Sequence, residues 1–192
     1  MEIEAKIKLK EPARLREVLK SVGATFEGRV LEKNWLFDHP ERTLMKNDKL
    51  LRVREERKVL LTFKGPRRTS EYKMREELQV EFPDSSSARS LLESIGFHQW
   101  FYYEKVRETW RLDSTEIVLD ELPALGLFVE IEGPSDKDIE AVRKRLKLSR
   151  DYISSSYVEL LQNLVKDSSP GKSLFQFPQD YQSVLAASGG AR

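Results

Sequence analysis

The sequence predicts an α+β protein in which an antiparallel sheet closes around a charged interior and carries helices on its outside. Segments in which apolar and polar residues alternate recur along the chain, separated by a few amphipathic helical segments. The polar positions of these segments are filled largely by Arg, Lys, Glu and Asp. A twisted sheet that closes around such a face also removes its own exposed edges.

Composition limits the possible functions before any motif is considered. The 192 residues suffice for one domain with its own core, and the formal net charge is only +1. Such a balance gives no global reason to expect nucleic acid or an anionic membrane as a partner. The absence of cysteine excludes disulfides and thiolate metal sites. No apolar run is long enough to cross a bilayer and no hydrophobic leader follows Met1, so we expect a cytoplasmic protein.

The first half of the chain is predicted to be mostly strands. Residues 1–10 alternate strictly between the two residue classes, which indicates a strand with one apolar and one polar face. Residues 11–23 predict a helix, because Pro12 suits its first turn, an apolar stripe follows, and Gly23 suits its end. Further strands are predicted at residues 28–40, 50–56, 58–66 and 73–83, with a loop or short turn at 41–49 and a polar connection at 67–72.

The second half combines helices and strands in a similar way. Residues 84–97 contain a capping Asp or Ser, an apolar stripe and a glycine stop, which predict a helix. Asp113-Ser114 lies between two alternating segments and indicates a hairpin. The other predicted elements are strands at 100–112, 115–123 and 126–134 and helices at 135–148 and 154–165. Because the Ser-, Pro- and Gly-rich tail has no clear periodicity, we expect a domain at residues 1–166 and a mobile tail at 167–192.

Most of the predicted strands carry a charged face with charges of both signs. Arg52 and Arg54 share one face of their strand, and Glu130 and Glu132 share one face of theirs. A sheet with one solvated side would also alternate, but it would carry a mixture of Ser, Thr, Gln and Lys there. The concentration of Arg, Lys, Glu and Asp favours an enclosed polar tunnel instead.

The residue types in this tunnel indicate a metal–polyphosphate site. Clustered arginines and lysines suit a polyanion, since the guanidinium group matches the geometry of phosphate oxygens. Carboxylate pairs without His or Cys suit hard, oxygen-seeking cations such as Mg²⁺ or Mn²⁺. The sequence has no glycine-rich phosphate loop, so side chains would have to hold the phosphates.

Several motifs occur in the order found in the CYTH family, the triphosphate tunnel metalloenzymes. The residues 2–6, "EIEAK", have the E-x-E-x-K form that opens this family, and "VLDELPALGLFVEIEG" at 118–133 is the most specific of the later motifs. The resemblance covers residues 1–165 and is nearest to class IV adenylyl cyclases. The other matching motifs are "LRVR", "LTFKGP", "REELQVE", "EKVRETW" and "SYVELL".

The resemblance implies an eight-stranded antiparallel tunnel, a divalent metal and a bound triphosphate. Metal ligands are implied at Glu2, Glu4, Glu77, Asp120, Glu130 and Glu132, with Mg²⁺ or Mn²⁺ as the cofactor. Triphosphate-binding residues are implied at Lys6, Arg52, Arg54, Lys64, Arg75, Lys105 and Arg107. Catalytic stabilisation of charge at the breaking phosphorus–oxygen bond is implied for Lys6, Lys64 and Arg107.

Three functions are compatible with these residues. An adenylyl cyclase would convert ATP to cyclic AMP and pyrophosphate, and we expect this activity. A triphosphatase would instead hydrolyse the terminal phosphate of inorganic triphosphate or a nucleotide. Leu36 occupies a position often held by Tyr in thiamine-triphosphatase-like members, which disfavours that substrate. A non-catalytic polyphosphate or nucleotide-binding module is the third possibility, and a homodimer is possible because relatives often form one.

Overall fold

Nine strands form a nearly closed antiparallel barrel in the computed structural model, which describes residues 2–68, 73–168, 174–179 and 181. This confirms the predicted fold class. The strands follow one another around the barrel in the order β5-β1-β9-β8-β7-β2-β3-β4-β6. Their bounds are β1 Glu2–Lys8, β2 Thr25–Asp38, β3 Leu50–Glu55, β4 Val59–Lys64, β5 Lys73–Arg75, β6 Glu77–Phe82, β7 His98–Leu112, β8 Thr115–Leu122 and β9 Gly126–Gly133.

The barrel closes where the predicted strand 73–83 is divided into two. β5 pairs with β1, with Met74 opposite Ile3, whereas β6 pairs with β4, with Glu77 opposite Lys64. The division falls at Glu76, because the chain there leaves one edge of the sheet and joins the other. Eight strands were expected and nine are found for this reason.

Three helices cover the apolar outer face of the barrel. α1 (Pro12–Ser21) and α4 (Asp136–Arg145) bury Leu19 and Ile139 against β-strand residues such as Ile131. α3 (Ser85–Ser94) packs on a second outer cluster, and its first turn is capped by the Asp84 carboxylate, which accepts a hydrogen bond from the Ser87 N–H at 2.7 Å. The segment predicted as a loop at 41–49 contains the short helix α2 (Thr43–Lys46).

The inner face of the barrel changes from charged to apolar toward one end. Leu36 and Phe101 are opposite each other on β2 and β7, and together with Phe128 of β9 they belong to one buried apolar cluster. α5 (Tyr157–Ser168) packs against this cluster through Val158 and Leu161. α5 therefore covers one end of the barrel interior, whereas the sequence predicted helices on the outside alone.

Part of the C-terminal tail also lies against the barrel. β10 (Leu174–Phe175) pairs in parallel with β7, and the Phe175 ring is buried in the same apolar cluster as α5. The Phe177 N–H donates a hydrogen bond to the buried Glu104 carboxylate at 3.0 Å. The domain boundary at residue 166 and the mobile tail at 167–192 stay predictions, because most of that tail lies outside the described residues.

Candidate active site

The charged inner positions of the barrel line one cavity of about 360 Å³. Its size falls in the range of small-molecule sites in proteins. The two kinds of charge come from different strands: β1 and β9 supply mainly carboxylates, whereas β3, β4 and β5, the last of which adjoins β1, supply mainly cations. The cavity therefore has an acidic wall and a basic wall.

The acidic wall contains a group of three carboxylates suited to a metal ion. Glu4 lies directly opposite Glu132 in the β1–β9 pair, and Lys6 lies opposite Glu130, so all of these side chains share the inner face. One oxygen from each of Glu4, Glu130 and Glu132 lies within 4.8 Å of the others. Glu4 and Glu130 are buried and Glu132 is half-buried. Three carboxylates without His or Cys fit Mg²⁺ or Mn²⁺.

Lys6 stands among these carboxylates and keeps its charge. Its Nζ atom lies 3.2 Å from Glu130 Oε1 and 3.9 Å from Glu4 Oε1, and the Tyr157 ring lies 4.0 Å below it. Burial alone would lower the pKa of Lys6, but the charges of Glu130 and Glu4 raise it above the ordinary value. The ammonium group thus offsets part of the repulsion within the acidic group.

The basic wall consists of Arg52, Arg54, Lys64 and Arg75. Arg52 is buried, and Nε atoms of all three arginines are shielded from solvent without a hydrogen-bond acceptor. Buried N–H groups without an acceptor cost free energy, so an anion with several oxygens would be stabilised in front of them. Lys64 pairs with Glu77 at 2.7 Å, and Arg75 Nη2 pairs with Asp48 Oδ1 at 2.7 Å.

Lys105 and Arg107 on β7 join the two walls through a buried ionic network. Arg107 contacts Asp120 at 2.6 Å and Glu130 at 2.8 Å through its Nη2 atom. Lys105 Nζ lies 2.9 Å from Asp120 Oδ2 and 3.3 Å from Glu32 Oε2. These two cations are thus held by carboxylates, and Arg107 also contacts Glu130 of the acidic group.

Glu32 is part of this network and was missed by the sequence reasoning. It is fully buried, and although burial raises its pKa, the charges of Lys105, Arg107, Arg54 and Arg52 lower it to about 2. Glu32 is the register partner of Lys105 across the β2–β7 pair. Glu32 and Asn34 are two positions apart on β2, so the sequence could have placed Glu32 on the polar face of that strand. The register that puts Glu32 opposite Lys105 cannot be read from one strand.

The six carboxylates predicted as metal ligands have different surroundings in the structure. The structure brings Glu4, Glu130 and Glu132 together, whereas Asp120 pairs with Lys105 and Arg107, and Glu77 pairs with Lys64. The Glu2 side chain lies outside the described residues, although its backbone pairs with Arg75 in β1–β5. The metal-binding and phosphate-binding roles of these residues stay predictions.

The fold agrees with comparisons to known proteins. A model of the CYTH domain matches residues 1–157. The chain therefore belongs to the CYTH family.

Individual relatives extend this assignment. A protein of Methanocaldococcus jannaschii named "Putative adenylate cyclase MJ0240" is 30% identical over 171 residues, which cover 83% of this chain and 98% of the relative. The structure of the PH1819 protein from Pyrococcus horikoshii OT3 is similar with a TM-score of 0.75 and 28% identity, over 85% of this chain and 99% of that one. The X-ray structure of a Vibrio parahaemolyticus protein named "putative adenylate cyclase" is also similar. It has a TM-score of 0.76 and 25% identity, over 84% of this chain and 97% of that one. Membrane-spanning helices are not found in the described part of the chain.

Proposed function

We propose that this protein is a divalent-metal-dependent adenylyl cyclase of the class IV type, which converts ATP to cyclic AMP and pyrophosphate. The observation that carries the proposal is the group Glu4, Glu130 and Glu132 on one wall of a cavity whose other wall presents buried arginines. A nucleoside triphosphate carries negative phosphates, which suit the basic wall, and its metal ion carries positive charge, which suits the acidic wall. The name of the Methanocaldococcus relative supports the same activity.

The residues of the two walls have distinct parts in the proposed reaction. Arg52, Arg54 and Arg75 bind and orient the phosphate chain along the basic wall. When bound by the acidic wall, Mg²⁺ or Mn²⁺ would supply positive charge to the phosphate oxygens. The ribose 3′-hydroxyl attacks the α-phosphorus and gives up its proton to water, so that the new phosphorus–oxygen bond closes cyclic AMP. The bond between the α-phosphorus and the oxygen that bridges it to the β-phosphorus breaks, and that oxygen leaves with pyrophosphate. Lys6, Lys64 and Arg107 stabilise the negative charge that develops on the leaving pyrophosphate.

The apolar part of the cavity favours a nucleotide over inorganic triphosphate. Leu36, Leu50, Trp100 and Val158 line the same cavity as the charged walls. Inorganic triphosphate has no apolar part that could use these side chains, whereas a nucleoside does. This arrangement supports ATP as the substrate.

A product analysis tests the proposal. The full chain is incubated with Mg²⁺ or Mn²⁺ and offered ATP and inorganic triphosphate in parallel. Cyclic AMP with stoichiometric pyrophosphate is expected from ATP. Orthophosphate and pyrophosphate from inorganic triphosphate, with ATP left intact, would instead assign a triphosphatase, and binding without any product would assign a non-catalytic module.

A further inference from the structure

An ionic bridge at the mouth of the tunnel involves an arginine that has no part in the proposed reaction. Arg67, which follows β4, lines the cavity together with two carboxylates. Asp48 lies between α2 and β3, and Glu159 lies in the first turn of α5. We call Arg67, Asp48 and Glu159 the mouth bridge. It connects three segments that are distant in the sequence.

Asp48 holds Arg67 through both backbone and side chain. The Arg67 N–H donates to Asp48 Oδ2 at 2.7 Å, and Arg67 Nε donates to the same oxygen at 3.1 Å. Asp48 Oδ1 lies 3.1 Å from Arg67 Nη2 and also accepts a hydrogen bond from Arg75 Nη2 at 2.7 Å. One carboxylate is thus shared by Arg67 and by Arg75 of the basic wall.

Glu159 holds the other edge of the Arg67 guanidinium. Arg67 Nη2 donates to Glu159 Oε1 at 2.9 Å and Nη1 donates to Oε2 at 3.2 Å, which is a two-pronged contact. Glu159 Oε2 also accepts from the Ser156 N–H at 2.6 Å, at the start of α5. The mouth bridge therefore ties the segment after β4 to the helix that covers one end of the barrel interior.

The mouth bridge resembles the contacts that a phosphate would make. A carboxylate and a phosphate present similar pairs of oxygens to a guanidinium. The side chains of Arg67, Asp48 and Glu159 are 36%, 35% and 39% exposed, so an anion entering from solvent can reach them. Ion pairs at this exposure are weak individually, whereas a triphosphate carries several charges into the same place.

We propose that Arg67 is a further phosphate-binding residue, and that Asp48 and Glu159 hold it in the ligand-free tunnel until a phosphate group replaces them. The inference rests on the proposed function only in requiring that the tunnel binds a triphosphate, and it does not require turnover. It implies that binding releases Arg67 from both carboxylates.

Two aspartates give a matched test of the bridge. Asp48 and Asp113 both have φ of 53°, a left-handed conformation that Asn tolerates, and each accepts a contact from one or more arginines. Asp48→Asn removes the carboxylate charge from the mouth, whereas Asp113→Asn removes one from an ion pair with Arg145 outside the tunnel. Glu159→Gln is the second variant, because Gln retains an acceptor for the Ser156 N–H.

The measurement is calorimetric binding of inorganic triphosphate to the full chain without divalent metal. Asp48→Asn and Glu159→Gln should each bind about three- to tenfold more tightly than the wild type. Asp113→Asn should bind as the wild type does, and Arg67→Ala should bind several-fold more weakly.

Weaker or unchanged binding by both Asp48→Asn and Glu159→Gln would overturn the exchange, and unchanged binding by Arg67→Ala would remove Arg67 from the site. If the wild type binds triphosphate and the variants bind it with the same affinity, this inference is wrong while the proposed activity stands. If the affinities of the variants change as expected but ATP gives no cyclic AMP, the proposed activity is wrong while this inference stands. A wild type that binds no inorganic triphosphate contradicts this inference, whereas the proposed activity is judged by the product analysis with ATP and metal.

Discussion

At the scale of single residues, the proposed metal site consists of three carboxylates that come from two neighbouring strands. Glu132 is the most exposed of them, with a side chain 25% exposed, so it can be changed with the least disturbance of packing. Glu132→Gln removes one ligand charge and keeps the shape of the side chain. Removal of a residue that only hydrogen-bonds to a metal ligand typically costs roughly 10–100-fold in activity. Because Glu132 would be a ligand itself, we expect metal-dependent turnover to fall by more than that.

The measurement is cyclic AMP formation as a function of Mg²⁺ or Mn²⁺ concentration, with circular dichroism to show that the variant is folded. Glu27→Gln is the matched control, since Glu27 pairs with Arg111 outside the acidic group and is 37% exposed. Turnover that survives Glu132→Gln at the wild-type metal concentration would show that the metal is held elsewhere.

Glu32 couples the stability of the barrel to acid. Its pKa is about 2 in the folded protein, below the ordinary value of 4.5, so the ionised form stabilises the native state fully above about pH 4.5. This contribution is lost as the pH falls from 4.5 toward 2. Glu32→Gln leaves Lys105 and Arg107 without one buried counter-charge, and at pH 7 the free energy of unfolding should fall by roughly 3–5 kcal/mol.

Urea unfolding of the wild type and Glu32→Gln at pH 7 and near pH 3 measures this coupling. The difference in unfolding free energy between the two proteins should shrink at the lower pH, because the wild type then loses part of the same stabilisation. A difference that is equal at both pH values would mean that Glu32 stabilises the barrel by packing rather than by charge.

At the scale of elements, α5 should stabilise the fold mainly through the residues that cover the apolar end of the barrel interior. Leu161 is fully buried there, whereas Leu164 on the same helix is 36% exposed. Leu161→Ala should lower the free energy of unfolding by about 2–5 kcal/mol, and Leu164→Ala by less than about 1 kcal/mol. Denaturant unfolding of both variants checks this, and equal losses would contradict the placement of α5.

The elements themselves were largely predictable, but their partners were not. Alternation located the strands within a few residues, since the pleat places successive side chains on opposite faces whatever the neighbouring strand is. The break at Glu76 has one local sign, because Glu76 places a polar residue where the alternation of residues 73–82 calls for an apolar one. That sign does not state that β5 and β6 pair with different strands. Likewise, the apolar stripe of α5 predicts a buried helix face without stating which surface buries it.

At the scale of the whole molecule, the charged interior could be predicted because its residues repeat on strand after strand. Arg52, Arg54 and Glu130 face the cavity as their alternation indicated. The ionic partners could not be predicted, because register decides them: Glu32 meets Lys105 only through the β2–β7 pairing. The same holds for Asp120, which faces inward as expected but pairs with Lys105 and Arg107.

The place of β1 in the barrel has a consequence for how the chain acquires its site during synthesis. β1 is synthesised before the other strands of the barrel, yet it pairs with β5 and with β9, which are synthesised later. Pairings of such high contact order form slowly, in roughly milliseconds to seconds. A nascent chain that ends before β9 carries Glu4 without Glu130 and Glu132, so it has no complete metal group. The proposed metal site is therefore complete only in molecules in which β1 has paired with β9.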